Sequence, residues 1–205
     1  MSHPSLFTPT NQPATHRLHA QSIARLVSHL THPPIVAALG VALLTVTTAR
    51  TSEWWWAVGY AALAILAPTL FIAVQVRRGK VGDFQLQQRQ ERIVPYAVAL
   101  GCAGLGVITL WLGNAPRVLQ RIGWMTVLMT LALLAITLRW KISAHCAYAA
   151  TFAVLGSALL HMAPLLLWGG VLVIAWARVT LRRHDLWQTL GGAVLGAASA
   201  LLVLR

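Results

Sequence analysis

The chain has 205 residues, of which 58% are hydrophobic and only 10% charged, and its formal net charge is +12. Soluble domains carry roughly 25% charged residues, so this composition excludes an ordinary water-soluble fold. The Lys and Arg excess does not point to nucleic acid either. The basic residues fall in short connections between apolar runs, with no basic domain to grip a duplex, and anionic lipid or a phosphorylated substrate is the expected partner.

Residues 1–32 form a polar tail. Within it, Leu18, Ile23, Leu26, Val27 and Leu30 fall near helical spacing, which predicts an amphipathic helix over 17–30 lying on the membrane surface. The first 30 residues have no apolar core and no small-residue cleavage site, so no short signal peptide is expected. His16, His19, His29 and His32 are spaced too irregularly for a metal-ligand pattern, and neither a metal nor a cofactor is expected.

From residue 33 to 205 the chain alternates apolar runs with brief polar breaks. The runs lie near 33–49, 54–76, 95–113, 118–138, 144–161, 163–180 and 187–204, each close to the 17–25 residues that cross a bilayer. This predicts one all-α, polytopic transmembrane helical bundle. It has seven spans, or six if the short first run only dips into the bilayer. Trp54, Trp55 and Trp56 open the second run, where indoles form an interfacial belt. Cys102 and Cys146 lie in or beside apolar runs and read as buried free thiols.

Three polar patches interrupt this pattern: 77–95, which contains Arg89 and Arg92; 139–145, which contains Lys141, Ser143, Ala144 and His145; and 178–188, which contains Arg178, His184 and Gln188. Two spans separate each patch from the next, so all three belong on the same side of the membrane. The opposite connections carry Arg50, Glu53, Asn114, Arg117, Arg121 and His161, with no repeated pairing of Arg and His. That asymmetry predicts a single active face.

The residue types in the patches suit a phosphate. Arg89, Arg92, Lys141 and Arg178 supply cations, and Ser143 stands at the N-cap of an apolar run whose amides face the same anion. Two histidines can divide phosphoryl transfer, one attacking phosphorus and the other protonating the leaving oxygen. On a helix starting near His184, Gln188 is four residues on and shares its face. Its carbonyl oxygen can accept the Nδ1 proton and leave Nε2 as the nucleophile.

These residues resemble the type 2 phosphatidic acid phosphatase superfamily, which also holds vanadium haloperoxidases and undecaprenyl-diphosphate phosphatases. The family's third motif, SRxxxxxHxxxD, is matched by Arg178 and His184 at the right spacing, with Gly192 and Gly196 following in the next run. Its second motif, PSGH, is matched at Ser143 and His145 within Ile142-Ser143-Ala144-His145. Its first, KxxxxxxRP, is met loosely by Arg89, Arg92 and Pro95, with two residues between arginine and proline. The likeness covers about the last 130 residues and rests on order, spacing and same-side topology.

The resemblance implies a membrane-bound, metal-independent phosphatase acting on a lipid phosphate or prenyl diphosphate. His184 would form a phosphohistidine and His145 would be the general acid. Arg178 with Arg92, and Arg89 beside them, would clamp the phosphate, and Ser143 with the Ala144 amide would bind a phosphate oxygen. The third motif's aspartate is replaced by Gln188, and the first motif's lysine has only Lys80 or Lys141 to stand for it. Spacing alone does not choose between Arg89 and Arg92. A lipid-phosphate binding protein without turnover is the alternative reading. A small transporter is disfavoured because no internal repeat or matched pair of broken spans is visible. Most of the Lys and Arg fall on the face with the patches, and the positive-inside rule puts that face in the cytoplasm.

Overall fold

The computed structural model describes residues 14–48 and 54–204, with side chains for 18–46 and 54–204. Arg50, Glu53 and Arg205, and the side chains of His16 and Arg17, lie outside these described residues. Among those described, the chain is helical throughout, with no strand. The helices are α1 (Ala14–Leu30), α2 (Pro33–Thr48), α3 (Trp54–Ala61), α4 (Ala67–Arg77), α5 (Ile93–Leu112), α6 (Arg117–Thr137), α7 (Ala144–Leu159), α8 (Pro164–Thr180) and α9 (Leu186–Leu204). A single π-helical stretch, Ala62–Leu66, joins α3 to α4 without a break, and a 3₁₀ turn, Gln90–Arg92, leads into α5.

Local chemistry sets the ends of these helices. Pro164 opens α8, where its missing N–H costs nothing, and the Ser143 hydroxyl accepts the Cys146 amide at the start of α7. Four connections turn through left-handed residues: Gly79 and Leu86 in the first, then Asn114, His161 and Arg182. After α8 the turn is a Schellman closure. Arg182 takes φ 53°, and the Arg183 amide reaches back to the Arg178 carbonyl at 3.0 Å. The His184 amide bonds the same carbonyl at 3.3 Å, so the six-residue spacing from Arg178 to His184 is the length of one such helix stop.

α7 is the centre of the bundle, packed against α2, α8 and α9, while α5 pairs with α6. The α7–α9 crossing depends on glycine. A Cβ on Gly192 would come within 2.3 Å of the Ser143 carbonyl oxygen, and one on Gly196 within 1.9 Å of the Ala147 oxygen. Small residues spaced four apart let the two backbones touch, as the sequence pattern implied. The crossing sets Ser143 and His145 beside Gln188 and His184, and the Ser143 amide donates to the Gln188 carbonyl at 3.1 Å.

Two expectations are revised. Among the described residues, four helical stretches are long and apolar enough to cross a membrane: Trp54–Arg77, Gln90–Leu112, Arg117–Thr137 and Leu186–Leu204. They mark the chain as a membrane protein. A fifth span is reached only if Leu18–Leu30 and Pro33–Val46, bent by 49°, count as one broken span. The six or seven spans read from hydropathy are therefore not all matched by full-length helices. α7 and α8 have 16 and 17 residues, about 24–26 Å at 1.5 Å per residue, against a hydrocarbon core of about 30 Å. Polar turns at Ser143, His161 and Arg182 stop them early.

The second revision concerns α1. It does not stand apart from the bundle as a surface helix: it packs on α8, with Ala24 and Ser28 fully buried and Leu18, Ile23, Leu26 and Leu30 outward. Small residues of α1 face the bundle, while its large apolar side chains and the polar Gln21, Arg25 and His29 all face outward.

Candidate functional site

The three polar patches meet at one end of the bundle. Arg92 enters from the 3₁₀ turn before α5, Ser143 and His145 stand at the start of α7, Arg178 at the end of α8, and His184 just before α9. All five are buried, Arg178 at 1% exposure and Arg92 at 3%. Arg92 is held by the Leu86 carbonyl through Nε at 2.8 Å and by the Ile142 carbonyl through Nη1 at 2.9 Å. Its Nη2 stands 3.5 Å from Nε2 of His184, too far for a good hydrogen bond.

The other guanidinium has fewer partners. Arg178 Nη1 donates to the Ser28 hydroxyl and, at 2.7 Å, to Gln85 Oε1, while Nε is buried with no hydrogen-bond partner. Neither Arg92 nor Arg178 meets a carboxylate. Among the described residues the one ion pair joins Arg183 to Asp83 at 2.8 Å, on the rim. Two buried guanidiniums without an acid are costly, because a buried charge is normally paired and fully hydrogen-bonded. A dianion placed between them would remove that cost.

His184 has its tautomer set by a relay. Asp185 Oδ2 accepts from the Gln188 side-chain amide nitrogen at 2.9 Å, which turns Gln188 Oε1 toward Nδ1 of His184 at 2.8 Å. Nδ1 therefore carries the proton, and the Nε2 lone pair faces Arg92. Asp185 makes its hydrogen bonds to Gln188 rather than to His184. It still acts on His184 by gripping Gln188, whose backbone amide it also accepts at 2.8 Å. Burial, followed by the Arg92 and Arg178 guanidiniums, pushes the His184 pKa down from 6.5 to about 3. The imidazole is neutral at physiological pH, the form a nucleophile needs.

His145 Nε2 stands 3.2 Å from the Ser28 carbonyl, which fixes that nitrogen as a donor and leaves Nδ1 for proton exchange. His32 stacks edge-on against the His145 ring, with centroids 5.4 Å apart. Ala144 lines the same space beside His145. Lys141 is half-buried close by, its pKa lowered by desolvation and then by Arg92 and Arg178. Lys80, by contrast, is exposed.

Arg89 is not brought to this cluster. Its Nη1 donates to the carbonyls of Thr137, at 3.1 Å, and of Leu138, at the C-terminal end of α6, where a cation is favoured by the helix dipole. Sequence spacing left Arg89 and Arg92 level, and the geometry separates them. The Ser143 oxygen accepts from the Cys146 amide in the α7 cap, which leaves its O–H free to donate to a phosphate oxygen.

Three further residues belong to the site: Ser28 and Gln85, which the sequence reading did not single out, and His32, which it weighed only as a metal ligand. Ser28 lies on the small-residue side of an amphipathic helix, a side read as solvent-facing. Gln85 sits in the longest polar connection, where several glutamines look alike.

From this polar end a cavity of about 160 Å³ runs down the bundle between α2, α4, α5, α6 and α7. His32, Arg92, His145 and His184 stand at its head, and Leu44, Tyr60, Leu155 and Leu160 line it further down.

Comparison with known proteins returned no matching family model, no matching characterised sequence and no matching solved structure. The functional reading rests on the residues themselves.

Proposed function

We propose that the chain is a multi-pass membrane phosphatase that hydrolyses a lipid phosphate or lipid diphosphate through a phosphohistidine, built on a core like that of the type 2 phosphatidic acid phosphatases and with its active face toward the cytoplasm. The observation that carries this reading is the pair of buried guanidiniums, Arg92 and Arg178, unpaired by any carboxylate and set beside a neutral His184 whose Nε2 is free. In the first step Nε2 attacks phosphorus, an N–P bond forms and the P–O bond to the lipid breaks. His145 takes up a proton at Nδ1 together with the phosphate dianion and passes it to the leaving oxygen. Water then attacks the phosphohistidine and gives one proton to His145 Nδ1, releasing phosphate and restoring both histidines. Arg92 and Arg178 offset the charge on the non-bridging oxygens throughout, and no metal takes part.

Gln188 replaces an aspartate without breaking the orientation of His184, because Asp185 supplies the carboxylate one hydrogen bond further out. It cannot offset the imidazolium charge as directly, so turnover is expected to be slower than with aspartate there. The test is phosphate release from phosphatidate and prenyl phosphates by wild type, His184→Ala and Gln188→Asp. Wild type should hydrolyse at least one substrate, His184→Ala should lose about 1,000-fold or more in kcat, and Gln188→Asp should gain. Equal inactivity of wild type and His184→Ala across the panel would sink the reading.

A second reading has one observation in its favour. Arg178 Nη1 is already held by the neutral oxygens of Ser28 and Gln85, as in a site that binds its anion and does not turn it over. Vanadate binding that depends on Arg178, with no hydrolysis of any lipid phosphate, would select this alternative.

A further inference from the structure

We infer that Ser28 and Gln85 are positioning residues for the anion site, holding Arg178 by neutral oxygens so that its free guanidinium edge keeps a full positive charge for a phosphate. The assignment rests on the polar end being the phosphate site, and it gives a part in that site to two residues that stand at no motif position.

The segment from Asp83 to Leu86 sorts its acceptors by charge. Asp83 Oδ2 accepts from Arg183 Nη1 at 2.8 Å, Gln85 Oε1 from Arg178 Nη1 at 2.7 Å, and the Leu86 carbonyl from Arg92 Nε at 2.8 Å. Three arginines are held within four residues, and the carboxylate goes to the one on the rim. The two buried arginines receive oxygens without charge. A carboxylate there would relieve a buried cation, which is normally paired, and would also cancel the charge that attracts an anion. A neutral oxygen holds the guanidinium in place and leaves that charge for the ligand.

The hydrogen bonds also decide which edge is offered. Arg178 Nη1 donates both to the Ser28 hydroxyl and to Gln85 Oε1, which uses its two hydrogens. Among the described residues nothing accepts from Nε or Nη2, and Nε is buried. Those two nitrogens form a side of the guanidinium fork that can grip two oxygens of one phosphate. The holders are themselves anchored. Ser28 is fully buried on α1, which packs on α8, and its carbonyl accepts from His145 Nε2 at 3.2 Å. Gln85 lies between Asp83 and Leu86, each bonded to another arginine.

The test measures vanadate binding by isothermal titration, and the thermal midpoint beside it, on the full-length protein in lipid nanodiscs. Gln85→Glu keeps the shape and the hydrogen bond and adds the missing acid. It should hold or raise the midpoint and weaken vanadate binding at least about 30-fold, as when a buried charged contact loses one of its charges. Gln87→Glu puts the same charge on a neighbouring exposed side chain and should leave binding within about threefold. Ser28→Ala removes one holder and should weaken binding about tenfold, the worth of one hydrogen bond to a charged group.

If Gln85 only braced its connection, Gln85→Glu would serve as well and binding would not change. That outcome would overturn the inference, as would an equal loss in Gln87→Glu, or Ser28→Ala binding as tightly as wild type. A Gln85→Glu protein that loses binding and also melts lower would overturn it too, because the added acid would then not be paired with Arg178. Wild type that binds no vanadate, or binds it equally well after Arg178→Leu, would overturn the phosphate reading and the inference with it. Binding that needs Arg178 yet ignores Gln85→Glu and Ser28→Ala would overturn the inference alone.

Discussion

At one end of the bundle Arg92 and Arg178 are 3% and 1% exposed, threaded between helices and lacking any acidic partner. At the other end Arg117 and Arg121, in the first turns of α6, stand exposed, with Asn114 and His161 exposed near them. Both ends carry arginine and histidine at the ends of apolar runs, though more of them at the first. What separates them is the cost of their surroundings. An exposed arginine at a span end keeps its hydration and marks topology. A buried one has given that hydration up, and the fold must gain elsewhere for it to persist.

Removing one buried guanidinium should give the largest effect. Arg178→Leu is expected to weaken vanadate binding about 100-fold or more, since losing one member of a buried charged contact costs 2–5 kcal/mol. Isothermal titration on purified protein measures it. A loss under threefold would mean that the buried end binds no anion and that the contrast between the two ends has another origin.

Next comes the crossing that assembles the buried end. Gly196→Ala places a methyl 1.9 Å from the Ala147 oxygen, so α9 must move off α7. Overpacking of this kind costs about 1–3 kcal/mol, visible as a lower thermal midpoint. Gly104→Ala on α5, where nothing lies within 4 Å of the added Cβ, should leave that midpoint within about 0.5 kcal/mol of wild type. Similar shifts for both variants would remove the α7–α9 contact as the device that holds the site together.

Much of this site was legible in the sequence, and the reasons are specific. Arg178 and His184 are six residues apart because one Schellman turn separates α8 from α9, so a local constraint wrote their spacing into the chain. Gln188 is one helical turn beyond His184 and faces it for the same reason. Same-side topology followed from counting spans, which does not require their exact lengths.

What stayed hidden depends on contacts between distant segments. Nothing local shows that Ser28 reaches Arg178, 150 residues away, or that Gln85 rather than a neighbouring glutamine does so. Arg89 and Arg92 share a helical face, and only the position of the α6 carbonyl end separates their fates. Hydropathy windows also run through the polar turns that shorten α7 and α8, so run length did not show which runs form full-length helices.

A proton-linked measurement probes the buried end with a smaller effect. His184 has a folded pKa near 3 against about 6.5 when unfolded, so between those values the unfolded chain holds a proton that the folded chain does not. Stability should rise with pH across that window and fall as pH drops from about 6.5 toward 3, with no contribution above it. One proton limits the slope to about 1.4 kcal/mol per pH unit. His184→Gln should lessen the rise of the thermal midpoint across pH 4–6.5 by up to one proton's share. An unchanged slope would mean that His184 is protonated in the fold and cannot serve as the nucleophile.

The smallest expected effect falls at the open end, and it tests the comparison most directly because it forecasts almost nothing. Arg117→Ala and Arg121→Ala remove cations that are already hydrated, and in the first turns of α6 a positive charge opposes the helix dipole. The lost headgroup attraction and the relieved dipole clash act in opposite directions, so the net change in stability should stay within about 0.5 kcal/mol. Vanadate binding should stay within twofold, since these side chains lie a full helix length from Arg178. A tenfold loss of binding in either variant would show that a cation's burial does not separate the working end from the topological one, and the site would then have to be sought at both.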